Sequence, residues 1–189
     1  MLALTLPLTG GLVLAVGVGA GWNDPRPAAP ATWQSRDELL LRVPPPGGQA
    51  VHLLDRPVGS FTLEATAAPL SSGRLNGYGL AFRAQDSDRY AVFAVSADGY
   101  LSVVRMEGHT EVPLLEWHQF PHIRRGRAAN RLRLSCAGGT CHFWVNDEYA
   151  GSLPDDMGPA GDVGLWASRL EGGEVRVAFT QVAVWERSR

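Results

Sequence analysis

Between Asn76 and Met106 the chain reads NGYGLAFRAQDSDRYAVFAVSADGYLSVVRM, with apolar residues at every second position through three short runs separated by polar turns. A period of two sends alternate side chains to opposite faces, which is the signature of half-buried strands and not of a helix. In the first run Leu80 and Phe82 share one face, Ala81 and Arg83 the other. Ala97-Asp98-Gly99 reads as a three-residue hairpin loop with Gly99 at the positive-φ position. Ser96 then faces Tyr100, Val95 faces Leu101, and Phe93, Val95, Leu101 and Val103 fall on one side. A two-residue turn at Asp98-Gly99 would mix Ser102 into that face, so the longer loop is the better reading.

The remaining chain continues the pattern. Short strands are expected over Glu38–Val43, Val51–Leu54 and Phe61–Ala67, the first two separated by Pro44-Pro45-Pro46-Gly47-Gly48 and the last followed by a turn over Ser71–Asn76. After a turn at Glu107-Gly108-His109, a strand over Glu111–Trp117 is expected to break at Pro113, and His118–Asn130 to form a polar loop. Arg131–Ser152 supplies two more hairpins, and Asp162–Ser168 and Glu174–Glu186 the last strands, joined through Glu171-Gly172-Gly173. No stretch keeps a helical period beyond a turn or two. Many short strands with regular turn signals describe an all-β, antiparallel sandwich or barrel.

With 189 residues, 45% of them hydrophobic, the chain can bury one good core, so one domain is expected. Seventeen basic and nineteen acidic residues give a formal net charge of −2, which argues against a nucleic-acid partner. Every basic residue is an arginine.

Residues 1–22 stand apart from this domain. Leu2–Trp22 holds no charge and as a helix would span roughly 30 Å, the thickness of a bilayer core. Its small residues up to Gly21 suit a signal peptide and its length a membrane anchor; no basic residue precedes it, which points to a start further upstream. Residues 23–32, NDPRPAAPAT, read as an extended linker, and the domain as residues 33–189.

In one hairpin Leu132, Leu134 and Cys136 share a parity, as do Cys141, Phe143 and Val145, and Ala137-Gly138-Gly139-Thr140 connects them. Both thiols then face the core from adjacent strands, directly opposite. An apolar N-terminus implies an oxidising compartment, so a Cys136–Cys141 disulfide is expected in preference to a redox or metal pair. On the outer face Arg133 falls opposite Trp144, a cation–π arrangement, and Ser135 opposite His142.

The runs GYGLAFRAQDSDRYAVFAVSADGYLSVVR, ANRLRLSCAGGTCHFWVNDEYAGSL, GDVGLWAS and EVRVAF resemble a concanavalin A-like lectin/glucanase sandwich. The likeness is closest to the group of 3-keto-disaccharide hydrolase-like, family 16 glycoside hydrolase-like domains and small extracytoplasmic bacterial modules. It covers about Trp33–Glu186 and implies a two-sheet jelly roll whose last strand returns beside the first, with glycans bound on a concave face. Two departures matter. The glucanase members carry alternating carboxylates, E-x-D-x-E, set about 5 Å apart for retaining chemistry, and no such run occurs here. Where close relatives read F-D-N-F, this chain reads Phe179-Thr180-Gln181-Val182. Because Val175, Val177 and Phe179 have one parity and Val182 and Val184 the other, a bulge near Thr180 and Gln181 is required.

Sugar binding asks for aromatic faces and a few orienting polar groups. Tyr90, Tyr100, Trp144 and Trp166, with Arg83, Arg133 and His142, have the parity to lie away from the core and are the candidate ligand-binding residues. Aromatics that simply shield the outer sides of strands are the plainer alternative. Asp86-Ser87-Asp88 offers oxygen ligands of the kind calcium takes but is read as a turn, since no third ligand accompanies it. His118, His122, Arg124, Arg125 and Arg127 form a basic loop, either simply solvated or able to meet a sulfated or uronic glycan, a phosphate or an acidic partner. The familiar catalytic signatures are absent, and no catalytic residue, metal or cofactor is assigned. The expectation is a non-catalytic carbohydrate-binding or adhesion module, extracytoplasmic, secreted or membrane-anchored. A cell-envelope polysaccharide is a possible partner, and the membrane is met only through the N-terminal segment. A structural ectodomain, or a hydrolase with a carboxylate pair involving Glu64 or Glu174, is the alternative.

Overall fold

The computed structural model describes residues 27, 29–46, 48–71, 76–108, 110–169 and 172–187. The apolar segment expected over residues 1–22, half of the linker over 23–32, Gly47 of the expected break, most of the turn over 71–76, and His109 and Glu171 of two expected turns lie outside the described residues.

Among the described residues the secondary structure is all strand: β1 (Trp33–Gln34), β2 (Leu39–Val43), β3 (Gln49–Leu53), β4 (Ser60–Pro69), β5 (Gly77–Ala84), β6 (Arg89–Ser96), β7 (Tyr100–Glu107), β8 (Thr110–Gln119), β9 (Asn130–Ala137), β10 (Thr140–Val145), β11 (Glu148–Pro154), β12 (Asp162–Ser168) and β13 (Val175–Arg187). They form two antiparallel sheets. One runs β1-β13-β4-β9-β10-β11 with β2 also on β13; the other runs β3-β12-β5-β6-β7-β8. The core lies between them. Phe61, Leu63, Leu134 and Phe143 come from the first sheet, Leu80, Phe93, Leu101 and Leu165 from the second, and all are essentially inaccessible.

Local turn chemistry sets the hairpins. Gly99 has φ 101° and Val95 pairs with Leu101, as the three-residue loop requires. Gly138 and Gly139, at φ 61° and 77°, make a two-residue turn between β9 and β10 that keeps Cys136 opposite Cys141, Leu134 opposite Phe143 and Arg133 opposite Trp144. The two cysteines are disulfide-bonded. In β13 the register shifts between Thr180 and Ala183, with Gln181 at φ 53°, so Phe179 and Val182 both reach the core. The last strand returns beside the first, Trp33 pairing with Val184.

Two expectations fail for physical reasons. β8 runs unbroken from Thr110 to Gln119 through Pro113, because it is an edge strand and a proline facing the open edge forfeits no ladder hydrogen bond; register shifts opposite Leu101–Val104 absorb the misfit. Arg83 does not follow the outward parity of Ala81. Its φ of 53° ends the alternation, and its guanidinium carbon sits 5.3 Å from the ring centroid of the inward-facing Phe61.

Candidate functional site

The face of the six-stranded sheet that points away from the core carries a second apolar layer. Ala81, Tyr90, Val92, Ala94, Val104, Met106 and Trp166 form it, with Val51 and Leu53 beside them. Small residues create the space that Trp166 fills, since a Cβ on Gly77 would stand 3.0 Å from the edge of its ring. The indole N–H donates to Gln49 Oε1 at 3.1 Å. Val92 and Ala94 have no exposure at all, although they face outward. The side chains of the layer cover them. A groove of about 520 Å³ is lined by Gln49, Ser168 and Arg169 from the corner of β3 and β12, and by Ser87, Asp88, Gly108 and Glu111 from the opposite corner, with Tyr90 and Val51 along it. Burial pushes the Tyr90 phenol up to about 12, against the opposing influence of the Trp166 side chain, so it stays a neutral hydroxyl at physiological pH.

A larger cleft of about 760 Å³ continues from this groove, sharing Asp88, Tyr90 and Gly108 with it and adding Asp86, Arg89, Arg105, Glu107 and Asp156. Asp86 accepts the backbone N–H groups of Asp88 and Arg89 at 2.9 and 2.8 Å through one oxygen and the Arg89 guanidinium at 3.0 Å through the other. Asp86-Ser87-Asp88 is therefore a turn closed by its own hydrogen bonds. The Arg89 side chain and these N–H groups hold the Asp86 carboxyl below the usual carboxylate range. At one wall of the cleft Arg83 donates through Nε to Asp155 at 3.1 Å and through Nη1 to the Val58 carbonyl at 2.9 Å.

The seven-stranded sheet presents a different cluster on its outer side. Arg133 lies 5.0 Å over the Trp144 ring and pairs with Glu64 at 3.5 Å. Tyr149 meets the indole edge-on at 5.6 Å, and its hydroxyl is 3.3 Å from His142 Nδ1. Burial lowers the His142 pKa, which favours the neutral ring.

The candidate residues thus divide three ways. Tyr90, Tyr100 and Trp166 belong to the outer face of the six-stranded sheet, Arg133, His142 and Trp144 to that of the seven-stranded sheet, and Arg83 to the end between them. Depth separates them further: Trp144, Trp166 and Tyr90 are at most 5% exposed, whereas Tyr100 is 39% exposed. Alternation along a strand gave their face and left out their cover. Gln49, Ser168 and Glu111 of the groove, and Trp117, exposed beside the bulge of β8, escaped the sequence reading. Only for Trp117 was there a usable signal, a large aromatic in a polar stretch; the groove residues converge from far-apart segments. Glu64 faces the Arg133 guanidinium at 3.5 Å, and Glu174 pairs with Arg176 at 3.7 Å.

No protein-family model and no curated protein matches the chain. Solved structures do. The carbohydrate-binding module CBM66 from Bacillus subtilis superposes with a TM-score of 0.62 at 16% identity, over 74% of this chain and 83% of the module. A functionally unknown protein from Saccharomyces cerevisiae gives 0.60 at 15% identity over 85% and 95%, and the Bacillus licheniformis β-glucanase 0.57 at 8% identity over 79% of each chain. At these identities the likeness is one of architecture. The chain has the two-sheet antiparallel jelly-roll sandwich fold that the carbohydrate-binding module and the β-glucanase share.

Proposed function

We propose that the protein is a non-catalytic glycan-binding module that works outside the cytoplasm and takes its ligand in the groove on the outer face of the six-stranded sheet. The observation that carries this reading is the groove's composition: an apolar floor sealed by its own side chains, and a rim of amide, hydroxyl, guanidinium and carboxylate groups converging from two corners. Sugars need this combination, since C–H faces rest on apolar surface while hydroxyls are oriented by a few fixed polar groups. Gln49 is anchored by Trp166, and Asp88 and Glu111 stand exposed to accept ligand hydroxyls. The likeness in fold to a carbohydrate-binding module supports the class. The Cys136–Cys141 bond supports an oxidising compartment.

The test is a glycan array probed with the full chain, followed by calorimetry on the glycans it retains. A hydrogen bond to a charged acceptor contributes about 1.5 kcal/mol or more. Asp88→Asn and Glu111→Gln are each expected to weaken binding about tenfold while leaving the thermal midpoint unchanged. Retention of no glycan, or unaltered affinity in the double variant, removes the groove as the site.

A further inference from the structure

Residues 118–130, HQFPHIRRGRAAN, hold three arginines, two histidines and no acid in a chain whose net charge is −2. This connection is built from within. The buried Asn130 donates through Nδ2 to Tyr78 Oη at 2.7 Å and to the Arg124 carbonyl at 2.8 Å, while its Oδ1 accepts the Arg124 N–H at 2.8 Å. Asn146 Nδ2 donates to the His122 carbonyl at 2.8 Å, the Gly126 N–H donates to the Ala97 carbonyl at 2.7 Å, and Ile123 is sunk in the core. On this fixed backbone Arg124, Arg125 and Arg127 are all exposed. Arg124 turns toward the seven-stranded sheet, where it lines a polar pocket of about 310 Å³ with Arg131, Thr66, Asn146, Gln181 and the carboxylate of Asp147. Arg125 turns the other way and lies along Gly99, next to the exposed Tyr100. Asp147 in the pocket wall pairs with Arg131 and Arg133, and Asp98 accepts the Ser96 hydroxyl.

We propose that this loop is a second binding site, separate from the groove, for an acidic glycan whose pyranose units carry carboxylate or sulfate. A guanidinium presents parallel N–H donors that match either anion, and a loop already ordered loses little freedom when it binds. Arg124 and the pocket beside it take the anionic substituent of one unit. Arg125 takes that of another, with the Tyr100 ring against the sugar between them. Net negative charge over the rest of the chain works against a nucleic acid, whose binding needs an extended basic surface.

The experiment is calorimetry of the full chain with polygalacturonate, dextran sulfate, uncharged dextran and single-stranded oligothymidylate, at low salt and at about 0.3 M NaCl, where exposed charges are strongly screened. Binding to one or both anionic glycans, weakened by salt and absent for uncharged dextran, is the expected result, and the two anionic polymers distinguish carboxylate from sulfate. Arg124→Gln and Arg125→Gln should each reduce that affinity about tenfold, with the thermal midpoint unchanged and Arg176→Gln, on the exposed side of β13, without effect. The Asp88→Asn and Glu111→Gln groove variants should retain it, so the two sites fail or stand separately. Absence of binding to both anionic glycans, equal binding to oligothymidylate, or full affinity in the Arg124→Gln/Arg125→Gln double variant overturns the proposal.

Discussion

Phe143 and Trp144 are neighbours on β10 that point to opposite faces of the sheet, and both are buried, at 1% and 5% exposure. Phe143 packs in the core against Phe93, with ring centroids 5.0 Å apart. Trp144 is buried by a cover of side chains instead: Arg133 over its face, Tyr149 edge-on and His142 tilted against it with ring centroids 6.0 Å apart. Alternation in the sequence separates the two faces correctly. On that basis alone Trp144 would be an exposed ring costing about 1 kcal/mol to truncate, the value of one cation–π contact. The cover changes the expectation. Phe143→Ala and Trp144→Ala should each cost about 3 to 5 kcal/mol, because each removes a buried ring and leaves a cavity its neighbours only partly fill. Denaturant midpoints at unchanged slope decide it; a Trp144→Ala variant within about 1 kcal/mol of the parent would mean that the indole is solvated and available to a ligand.

At the scale of elements, legibility follows the range of the interaction that fixes each one. The hairpins at Gly99 and at Gly138-Gly139 are specified by residues inside the turn, so their registers can be read directly. The β13 bulge is also readable, from the change of parity between Phe179 and Val182. β8 is not, because whether Pro113 breaks a strand depends on whether that strand lies at an edge. Nor is Arg83, whose side chain is turned by a left-handed backbone toward Asp155, 72 residues away, just beyond the end of β11. Their side chains are 4% and 5% exposed, and the pair fastens the β11–β12 connection to the six-stranded sheet. Removing one partner leaves the other charge stranded in a desolvated place, which costs about 3 to 5 kcal/mol. Asp155→Ala should therefore destabilise by that amount, with Arg83 the group left unpaired. A change below about 1 kcal/mol, measured by equilibrium denaturation, would show that water reaches the guanidinium freely.

Across the whole molecule, the jelly roll could be read from alternation, turns and resemblance, while the groove could not. Gln49, Asp88, Glu111 and Ser168 come together only when the strands have assembled into the sheet, and no local pattern records that. The basic loop shows the same dependence: its composition is visible in the sequence, its support is not. That support is a bridge between the sheets, since Tyr78 on β5 accepts its hydrogen bond from Asn130 on β9. Burial pushes the Tyr78 phenol up to about 12, with the Asn130 hydrogen bond opposing. The folded chain thus holds this proton more tightly than the unfolded one. Between about pH 10 and pH 12 the unfolded phenol ionises while the folded phenol stays neutral, so the unfolded state binds fewer protons and stability falls as pH rises. The contribution is fully present below about pH 10, lost by about pH 12, and roughly 2 to 3 kcal/mol in size. Tyr90, raised in the same sense, adds to the decline. Tyr78→Phe should cost about 1 kcal/mol near neutrality by taking the acceptor from Asn130. It should also flatten the alkaline limb, so the gap between parent and variant narrows and then reverses as pH climbs. Urea denaturation of both proteins from about pH 8 to about pH 11.5 measures this directly, and a gap that stays constant across the range would show that the Tyr78 phenol titrates alike in the folded and unfolded chain.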